Sequence, residues 1–144
     1  MNKNNVRLEM TSDEEELEQV RNHLYSYNMK SVDADFEPIN LVLKAQNNEI
    51  VGGLLSYRYG QSIFIEILCV DERLRGSGLG TNLLKKIEEI AAQRAVDTIH
   101  LDTFGFQAPG FYLRNGYEQF GELKDVPVKN QNRYFLKKQM NKCR

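Results

Sequence analysis

Alternating apolar and polar residues predict several short β-strands in the first half of the chain. The predicted strands cover residues 6–10, 39–45, 50–59 and 63–70, and the last of them carries a single charge, Glu66. Turn-forming residues, Asn47-Asn48 and Gly60, separate the last three strands. Because short turns join neighbouring antiparallel strands, we expect these three to form a meander. Gly52-Gly53 in the middle of it indicates a bulge or a close approach of two backbones.

Helical spacing of apolar residues predicts two long helices. The first covers about residues 13–28, and Ser12 and Glu15 have the spacing of a capping box at its start. Residues 29–38 are polar and are interpreted as a loop. The second helix begins near Leu79 and ends near Ala95. The remaining chain predicts a strand at 98–104, a short helix at 108–115, and closing strands at 117–123 and 133–138.

The composition is that of one ordinary globular domain covering residues 1–144. Hydrophobic residues make up 41% of the chain and charged residues 27%, which excludes fibrous and disordered classes. No apolar run approaches the roughly 18 residues of a membrane helix, and no secretory signal is recognisable at the N-terminus. Two cysteines, Cys69 and Cys143, are too few for a disulfide framework. These features predict a cytoplasmic protein with reduced thiols.

The net charge of −1 argues against a dedicated nucleic-acid-binding protein. The charges are unevenly distributed, however. Residues 1–72 hold 6 Lys/Arg and 13 Asp/Glu, a net of −7, whereas residues 73–144 hold 13 and 7, a net of +6. Such a division indicates either two ligands of opposite charge or a chance distribution of surface charge.

A glycine-rich segment, residues 73–80, lies between the meander and the second long helix. It reads Arg-Leu-Arg-Gly-Ser-Gly-Leu-Gly, and Thr81 follows it. Glycines let the backbone pass close to a ligand, and the first N–H groups of a helix have no partner within it, so the segment predicts a phosphate site. Arg73 and Arg75 add positive charge. A Walker motif is absent, Thr81 stands where a dinucleotide fingerprint has its third glycine, and a turn needed only for packing is the alternative.

Together with a second motif, this segment makes the chain resemble the GNAT family of acetyl-CoA-dependent N-acetyltransferases. The first motif is residues 75–80, and the second, residues 108–117, reads Ala-Pro-Gly-Phe-Tyr-Leu-Arg-Asn-Gly-Tyr. The resemblance implies a mixed α/β fold with helices on both faces of a mostly antiparallel sheet of about six to seven strands. It also implies acetyl-CoA as the co-substrate and a splayed sheet where acetyl-CoA enters.

The resemblance further implies which residues bind the cofactor. Residues 67–70 match the family strand whose backbone pairs with the pantetheine arm. The expected cofactor-binding set is Leu68, Cys69, Val70, Arg75, Gly76, Ser77, Gly78, Leu79, Gly80, Thr81 and Gln107. Many family members carry Asn where this chain has Gly105, so a side-chain contact to the pantetheine arm is expected either to be lost or to pass to Gln107.

Two proton transfers define the expected catalytic residues. An amine is protonated at neutral pH, so a base must remove a proton, and the leaving thiolate must receive one. Tyr112 lies four residues after the alanine of the second motif and is the candidate acid; a core tyrosine is the alternative. Glu66 is the candidate base, because apolar surroundings raise the pKa of a carboxylate; a solvent-facing position is the alternative. Asp102, Asp35 and Glu37 are further candidates for the base.

The acceptor is expected to be an amine of a small molecule or a peptide. Asp33, Asp35 and Glu37 lie close together in the loop before the meander and favour a cationic acceptor. Neither nucleic acid nor a membrane is an expected partner, and a homodimer is an open possibility. The alternative function is a non-catalytic acyl-CoA-binding regulator or subunit.

Other reactive residue types are interpreted as structural. His23 and His100 are the two histidines, and His23 lies on a predicted surface helix. Cys69 lies in the middle of a strand among apolar residues with no histidine beside it, and is interpreted as a structural small hydrophobic residue. No group of His, Cys and Asp residues has the spacing of a metal site, so no metal is expected.

Overall fold

The computed structural model describes residues 1–140, so Cys143 lies outside the described residues. The chain divides into two compact units, Met1–Ala34 and a larger unit that begins at Asp35. The first unit contains a 3₁₀ turn at Lys3–Asn5 and helix α1 at Glu14–Ser31. The strand predicted at residues 6–10 is wrong, because these residues pair with no strand in the part of the chain that is described. Alternation produces a strand only where a neighbouring strand supplies hydrogen-bond partners.

Helix α1 differs from its prediction at both ends. Its N-cap is Asp13 rather than Ser12, since the Asp13 carboxylate accepts hydrogen bonds from the backbone N–H groups of Glu15 at 2.8 Å and Glu16 at 3.4 Å. The helix continues beyond residue 28 to Ser31 and ends where Val32 adopts an extended conformation. No helix within residues 1–140 combines the length and apolar character needed to cross a membrane.

The larger unit is built on a six-stranded sheet. The strands are β1 Phe36–Lys44, β2 Ile50–Tyr59, β3 Ser62–Val70, β4 Thr98–Phe104, β5 Glu118–Leu123 and β6 Arg133–Gln139. Their order is β1-β2-β3-β4-β6-β5, and every neighbouring pair is antiparallel except β3 with β4. This arrangement confirms the expected mixed, mostly antiparallel sheet and the meander of β1 to β3. Strand β1 starts three residues before its prediction, because Pro38 is tolerated in an edge strand.

Two helices of the larger unit complete the fold. Helix α2 spans Leu79–Gln93 and helix α3 spans Pro109–Arg114, and a 3₁₀ turn at Glu72–Leu74 precedes α2. The apolar face of α2 is buried in one hydrophobic core with side chains of the central strands. The largest fully buried side chains of this core are Leu54, Ile63, Leu84, Ile87, Ile99 and Leu136. The core fixes α2 on β3 and β4, and therefore fixes the position of the glycine-rich segment at its start.

The glycine pair in β2 allows the close approach that the sequence indicated. A Cβ atom on Gly52 would lie 2.5 Å from the backbone oxygen of Cys69 on β3, and one on Gly53 would collide with the backbone oxygen of Leu41 on β1. Both contacts are with backbone, which cannot move aside cheaply. Glycine at these two positions is therefore a requirement of the meander that carries β3.

Candidate active site

The two parallel strands of the sheet separate at one end. Strands β3 and β4 are paired from Ser62 and Thr98 to Ile65 and Leu101, and beyond these residues they have no register with each other. The separation coincides with a bulge between β2 and β3 that leaves Glu66 as the extra residue. A bulge bends the strand that contains it, so β3 diverges from β4. The divergence opens a cleft of about 740 Å³.

The cleft gathers residues that the sequence analysis assigned to a cofactor and to catalysis. The predicted residues that line it are Glu66, Leu68, Cys69, Val70, Arg75, Gly76, Gly78, Leu79, Gly80, Thr81, Gln107 and Tyr112. Ser77 is the exception, since its hydroxyl donates a hydrogen bond back to the Leu74 carbonyl within the turn. Three segments that are separate in sequence thus surround one space: the end of β3, the start of α2, and the turn into α3.

The end of β3 offers backbone groups to this space. Residues Ile67 to Val70 pair with β2 on one side, and on the other side no strand of the described chain reaches them. Unpaired edge N–H and C=O groups are strong hydrogen-bonding groups that an extended, amide-containing ligand can satisfy. The Val70 oxygen is partly used, because the Arg75 Nε donates to it at 3.2 Å.

The glycine-rich segment has the backbone conformation of an anion-binding loop. Gly76 and Gly78 have φ angles of 80° and 86°, in the left-handed region that side chains disfavour. A Cβ atom at either position would meet nothing within 4 Å, so glycine is needed for conformation and the space beside it is open. Gly78 is the N-cap of α2, and no side chain caps this helix. Its first N–H groups are therefore available to an anion.

Only one of the two predicted arginines lines the cleft. Arg75 does so, and its side chain is 65% exposed. Arg73 instead forms ion pairs with Asp71 at 2.7 Å and Glu49 at 3.1 Å, and it lowers the pKa of Asp71 to about 2. The expectation that Arg73 adds charge at a phosphate is wrong, because two carboxylates already neutralise it.

Tyr112 is a buried side chain at the wall of the cleft. It is 7% exposed, and its ring makes edge-to-face contacts with Phe111 at 5.1 Å and Tyr117 at 5.9 Å between centroids. Burial raises the pKa of Tyr112 to about 12, because the phenolate would lose hydration. The phenol therefore holds its proton throughout the physiological range.

The raised pKa of Tyr112 gives a spectroscopic prediction. At about pH 10.5 an ordinary phenol is roughly three quarters ionised, whereas a phenol with a pKa near 12 is only a few per cent ionised. The near-ultraviolet phenolate absorbance of the folded protein at this pH should therefore be the same, within a few per cent of one tyrosine, with and without Tyr112→Phe. A difference close to a full three quarters of one tyrosine would contradict the burial of this phenol.

Glu66 lies in the cleft but not in the apolar surroundings that the sequence suggested. Its side chain is exposed, because the alternation that buries Ile63 and Ile65 places Glu66 on the opposite face of β3. No side chain within residues 1–140 forms an ion pair or a hydrogen bond with it. The premise of a buried carboxylate is wrong, whereas its position in the cleft leaves it free to accept a proton.

The other candidate bases are held by arginines. Asp102 lines the cleft, yet its carboxylate accepts from Arg133 Nε at 3.0 Å, which raises the pKa of Arg133. Glu37 lies at the opposite end of the sheet, beside the β2–β3 turn, and pairs with Arg94 at 2.9 Å and Arg58 at 3.1 Å. These arginines lower the pKa of Glu37, Arg94 having the larger effect.

The predicted acidic acceptor wall is therefore not assembled as the sequence suggested. Asp35 and Glu37 share Arg58, which lies 3.8 Å from Asp35, and neither acid lines the cleft. His100 also lies away from the cleft. It packs on Phe64 with 5.0 Å between ring centroids, and burial lowers its pKa, so the imidazole is a neutral part of the sheet.

Gln107 fixes the turn between β4 and α3. Its side-chain oxygen accepts from the Phe104 N–H at 2.8 Å and from the Thr103 hydroxyl at 3.1 Å. Because the oxygen is occupied, only the amide N–H groups are left to face the cleft. Phe111 was not among the predicted site residues, yet it lines the cleft, and its ring packs against α2 so closely that a Cβ on Gly80 would lie 3.1 Å from it.

Comparisons with known proteins agree with this geometry. The model of the acetyltransferase (GNAT) family matches residues 6–117. Acetyltransferase Atu2258 of Agrobacterium fabrum is 28% identical over 120 residues, which are 83% of this chain and 88% of that protein. A blasticidin-S acetyltransferase of Streptomyces morookaense is 35% identical over 83 residues, 57% of this chain and 61% of that protein.

A solved structure extends the likeness to the fold. The crystal structure of an acetyltransferase from Bacillus cereus is 34% identical and has a TM-score of 0.80, covering 92% of this chain and 97% of that one. The resemblance first carried by two short motifs is thereby confirmed. Because the family model covers most of the chain, and the splayed strands and the helix-capping glycine loop are those the family was expected to have, this chain belongs to the acetyltransferase (GNAT) family and is an acetyltransferase.

Proposed function

We propose that this protein transfers the acetyl group of acetyl-CoA directly to a primary amine of a small molecule, within a ternary complex. The observation that carries the proposal is the convergence of three features on one cleft: the unpaired edge of β3, the uncapped start of α2, and the buried phenol of Tyr112. A separate binding protein would need the first two features but not the third.

The residues present fit acetyl-CoA. The free N–H groups at the start of α2, together with Arg75, would hold the diphosphate. The open edge of β3 would pair with the pantetheine amides, and the Gln107 amide N–H groups would add a donor. When bound, acetyl-CoA supplies the acetyl group as an activated thioester.

Tyr112 would protonate the leaving group. A thiol titrates near 8.5, so the departing sulfur is a weaker base than a tyrosinate, and a hydrogen bond from Tyr112 would stabilise it as its bond to the acetyl carbon breaks. The proton that Tyr112 gives to the thiolate would be replaced from solvent, which would also receive the amine proton from Glu66. The buried Tyr112 phenol is protonated whenever the enzyme is at neutral pH, so every molecule begins the reaction with its donor in place.

Glu66 would accept the proton that the amine must lose. A lysine-like amine with a pKa near 10.4 is nucleophilic in only about one molecule in 10³ at neutral pH. Glu66 is the carboxylate in the cleft that no arginine neutralises, in contrast to Asp102 beside Arg133. It acts directly or through a water molecule, which its exposed position allows.

A small-molecule acceptor is supported by the likeness to the blasticidin-S acetyltransferase. The proposed acceptor is a cationic amine. The acid that bears on it is Glu66 in the cleft, not Asp35 and Glu37, which are bound to arginines at the other end of the sheet.

The experiment that tests the function is an amine panel with acetyl-CoA, read by release of free CoA thiol. The panel contains polyamines, amino sugars, nucleoside antibiotics with free amines, and peptides. Turnover with at least one small amine is expected, with a product heavier by one acetyl group. Saturable acetyl-CoA binding without thiol release for any amine would instead favour a non-catalytic acyl-CoA-binding protein.

Cofactor binding has its own prediction. At about a hundredfold excess over its Kd, acetyl-CoA should raise the free energy of unfolding by roughly 2–3 kcal/mol, measured by thermal denaturation.

Arg75→Gln should weaken acetyl-CoA binding roughly five- to tenfold, since it removes a charge-assisted hydrogen bond. Arg73→Gln is the matched control, because Arg73 is paired with Asp71 and Glu49. Equal losses in the two variants would contradict the assignment of Arg75.

A further inference from the structure

Lys138 joins three elements around the end of helix α3. Its Nζ donates to Glu88 Oε1 on α2 at 2.7 Å and to the backbone oxygen of Asn115, directly after α3, at 3.0 Å. The same ammonium lies 5.6 Å from the centroid of the Tyr117 ring. The side chains of Lys138 and Glu88 are only 27% and 18% exposed. Because this ion pair is largely shielded from water and makes further hydrogen bonds, its two side chains are held in a single arrangement.

The turn that Lys138 contacts is the turn that holds Tyr112. The backbone N–H groups of Asn115 and Tyr117 both donate to the Tyr112 carbonyl at 3.0 Å. The Asn115 side chain donates to the Phe111 carbonyl at 2.8 Å. The Tyr117 ring rests edge-to-face on Tyr112, and its hydroxyl donates to Glu88 Oε2 at 3.3 Å. A contact that fixes the position of this turn therefore also fixes the position of the Tyr112 phenol.

Gly116 shows that the lysine is part of this turn rather than a neighbour of it. Gly116 has a φ of 91°, and a Cβ on it would lie 3.3 Å from both Cε and Nζ of Lys138. The stem of the lysine thus crosses directly over the glycine to reach its two acceptors. A side chain at position 116 would displace the lysine as well as strain the backbone.

Helix α3 needs such support because it has only six residues. A helix this short is unstable alone, so its position depends on contacts outside it. We infer that Lys138 is a positioning residue for the reaction: by binding Glu88 and the Asn115 carbonyl together, it holds α3 against α2 and keeps Tyr112 at the cleft. This role rests on the proposed function, in which Tyr112 is the proton donor.

A purely structural role for Lys138 predicts a different effect on activity. Loss of folded protein would lower activity by the same factor whether or not Tyr112 is present. A lysine that acts through Tyr112 has nothing to position once the phenol is gone. The two roles are therefore separated by measuring Lys138→Met, which keeps the length of the stem, in the wild-type and Tyr112→Phe backgrounds.

In the wild-type background, Lys138→Met should lower kcat roughly 10- to 100-fold, the effect of a displaced catalytic group, with KM for acetyl-CoA changed less than about threefold. In the Tyr112→Phe background the same change should cost less than about twofold. Lys138→Arg, which keeps a cation within reach of Glu88, should recover most of kcat. Lys137→Met is the matched control and should leave kcat unchanged, since Lys137 pairs loosely with Glu118 at 3.9 Å on β5.

Hydrogen exchange followed by mass spectrometry tests whether Lys138 holds α3 in place, and it does not depend on an activity assay. Lys138→Met should accelerate exchange in the peptide covering residues 109–117 at least about tenfold, while Lys137→Met should not. Unchanged exchange, or equal losses of kcat in both backgrounds, would overturn the inference while wild-type turnover still supports the function. A wild-type protein with no turnover for any amine would overturn the proposed function, and the role of Lys138 in it.

Discussion

We expect Tyr112→Phe to lower kcat by roughly 10²- to 10⁴-fold, the range for a lost general acid or base. The change removes one oxygen and keeps the ring, so the edge-to-face contacts with Phe111 and Tyr117 survive. KM for acetyl-CoA should change less than about threefold, because the phenol contributes to the transition state and not to cofactor binding. A single-turnover measurement of thiol release isolates the chemical step.

The matched control for this variant is Tyr57→Phe. Tyr57 is a half-buried tyrosine that, like Tyr112, belongs to an aromatic cluster: its ring lies 5.3 Å from Phe36 and 5.7 Å from Phe64 between centroids. It does not line the cleft. The kcat of Tyr57→Phe should equal that of the wild type. An unchanged single-turnover rate in Tyr112→Phe would show that Tyr112 is a core tyrosine and that another group protonates the thiolate.

The local parts of the fold could be predicted closely. Strands β2 and β4 have the bounds predicted from alternation, Ile50–Tyr59 and Thr98–Phe104. Each has a neighbouring strand on both sides, so the alternation of apolar residues corresponds to a real pattern of buried positions. The glycine-rich segment was also recognised, since a positive φ and an uncapped helix start are properties of the segment itself. Residues 6–10 show the limit, because their alternation has no partner strand to make it a strand.

The charge environment of the site could not be predicted, because it depends on pairs far apart in sequence. Glu37 seemed to be a free loop acid, yet it is bound by Arg94, 57 residues later. Glu66 seemed to be an isolated charge in an apolar strand, and only the register of β2 with β3 shows that it sits on a bulge. Lys138 carried no signal at all, since its partner Glu88 is 50 residues away on another element.

The largest effect on binding is expected from Gly78→Glu, which should weaken acetyl-CoA binding more than about 100-fold, beyond detection by calorimetry at ordinary concentrations. The new carboxylate would lie at the N-terminus of α2, where the free N–H groups that the diphosphate needs would bind it instead. It would also repel the diphosphate at short range.

The protein should remain folded despite this change. A side chain at a φ of 86° costs about 1–2 kcal/mol, and a carboxylate at a helix N-terminus recovers about 0.3–1 kcal/mol of it. There is room for the side chain, since a Cβ at Gly78 meets nothing within 4 Å.

Gly78→Gln is the matched control, with the same backbone strain and nearly the same size but no charge. We expect Gly78→Gln to retain measurable binding at least about tenfold tighter than Gly78→Glu. Equal affinities for the two variants would mean that backbone shape, not the anion site at the start of α2, governs cofactor binding, and normal binding by Gly78→Glu would remove the glycine loop from the cofactor site altogether.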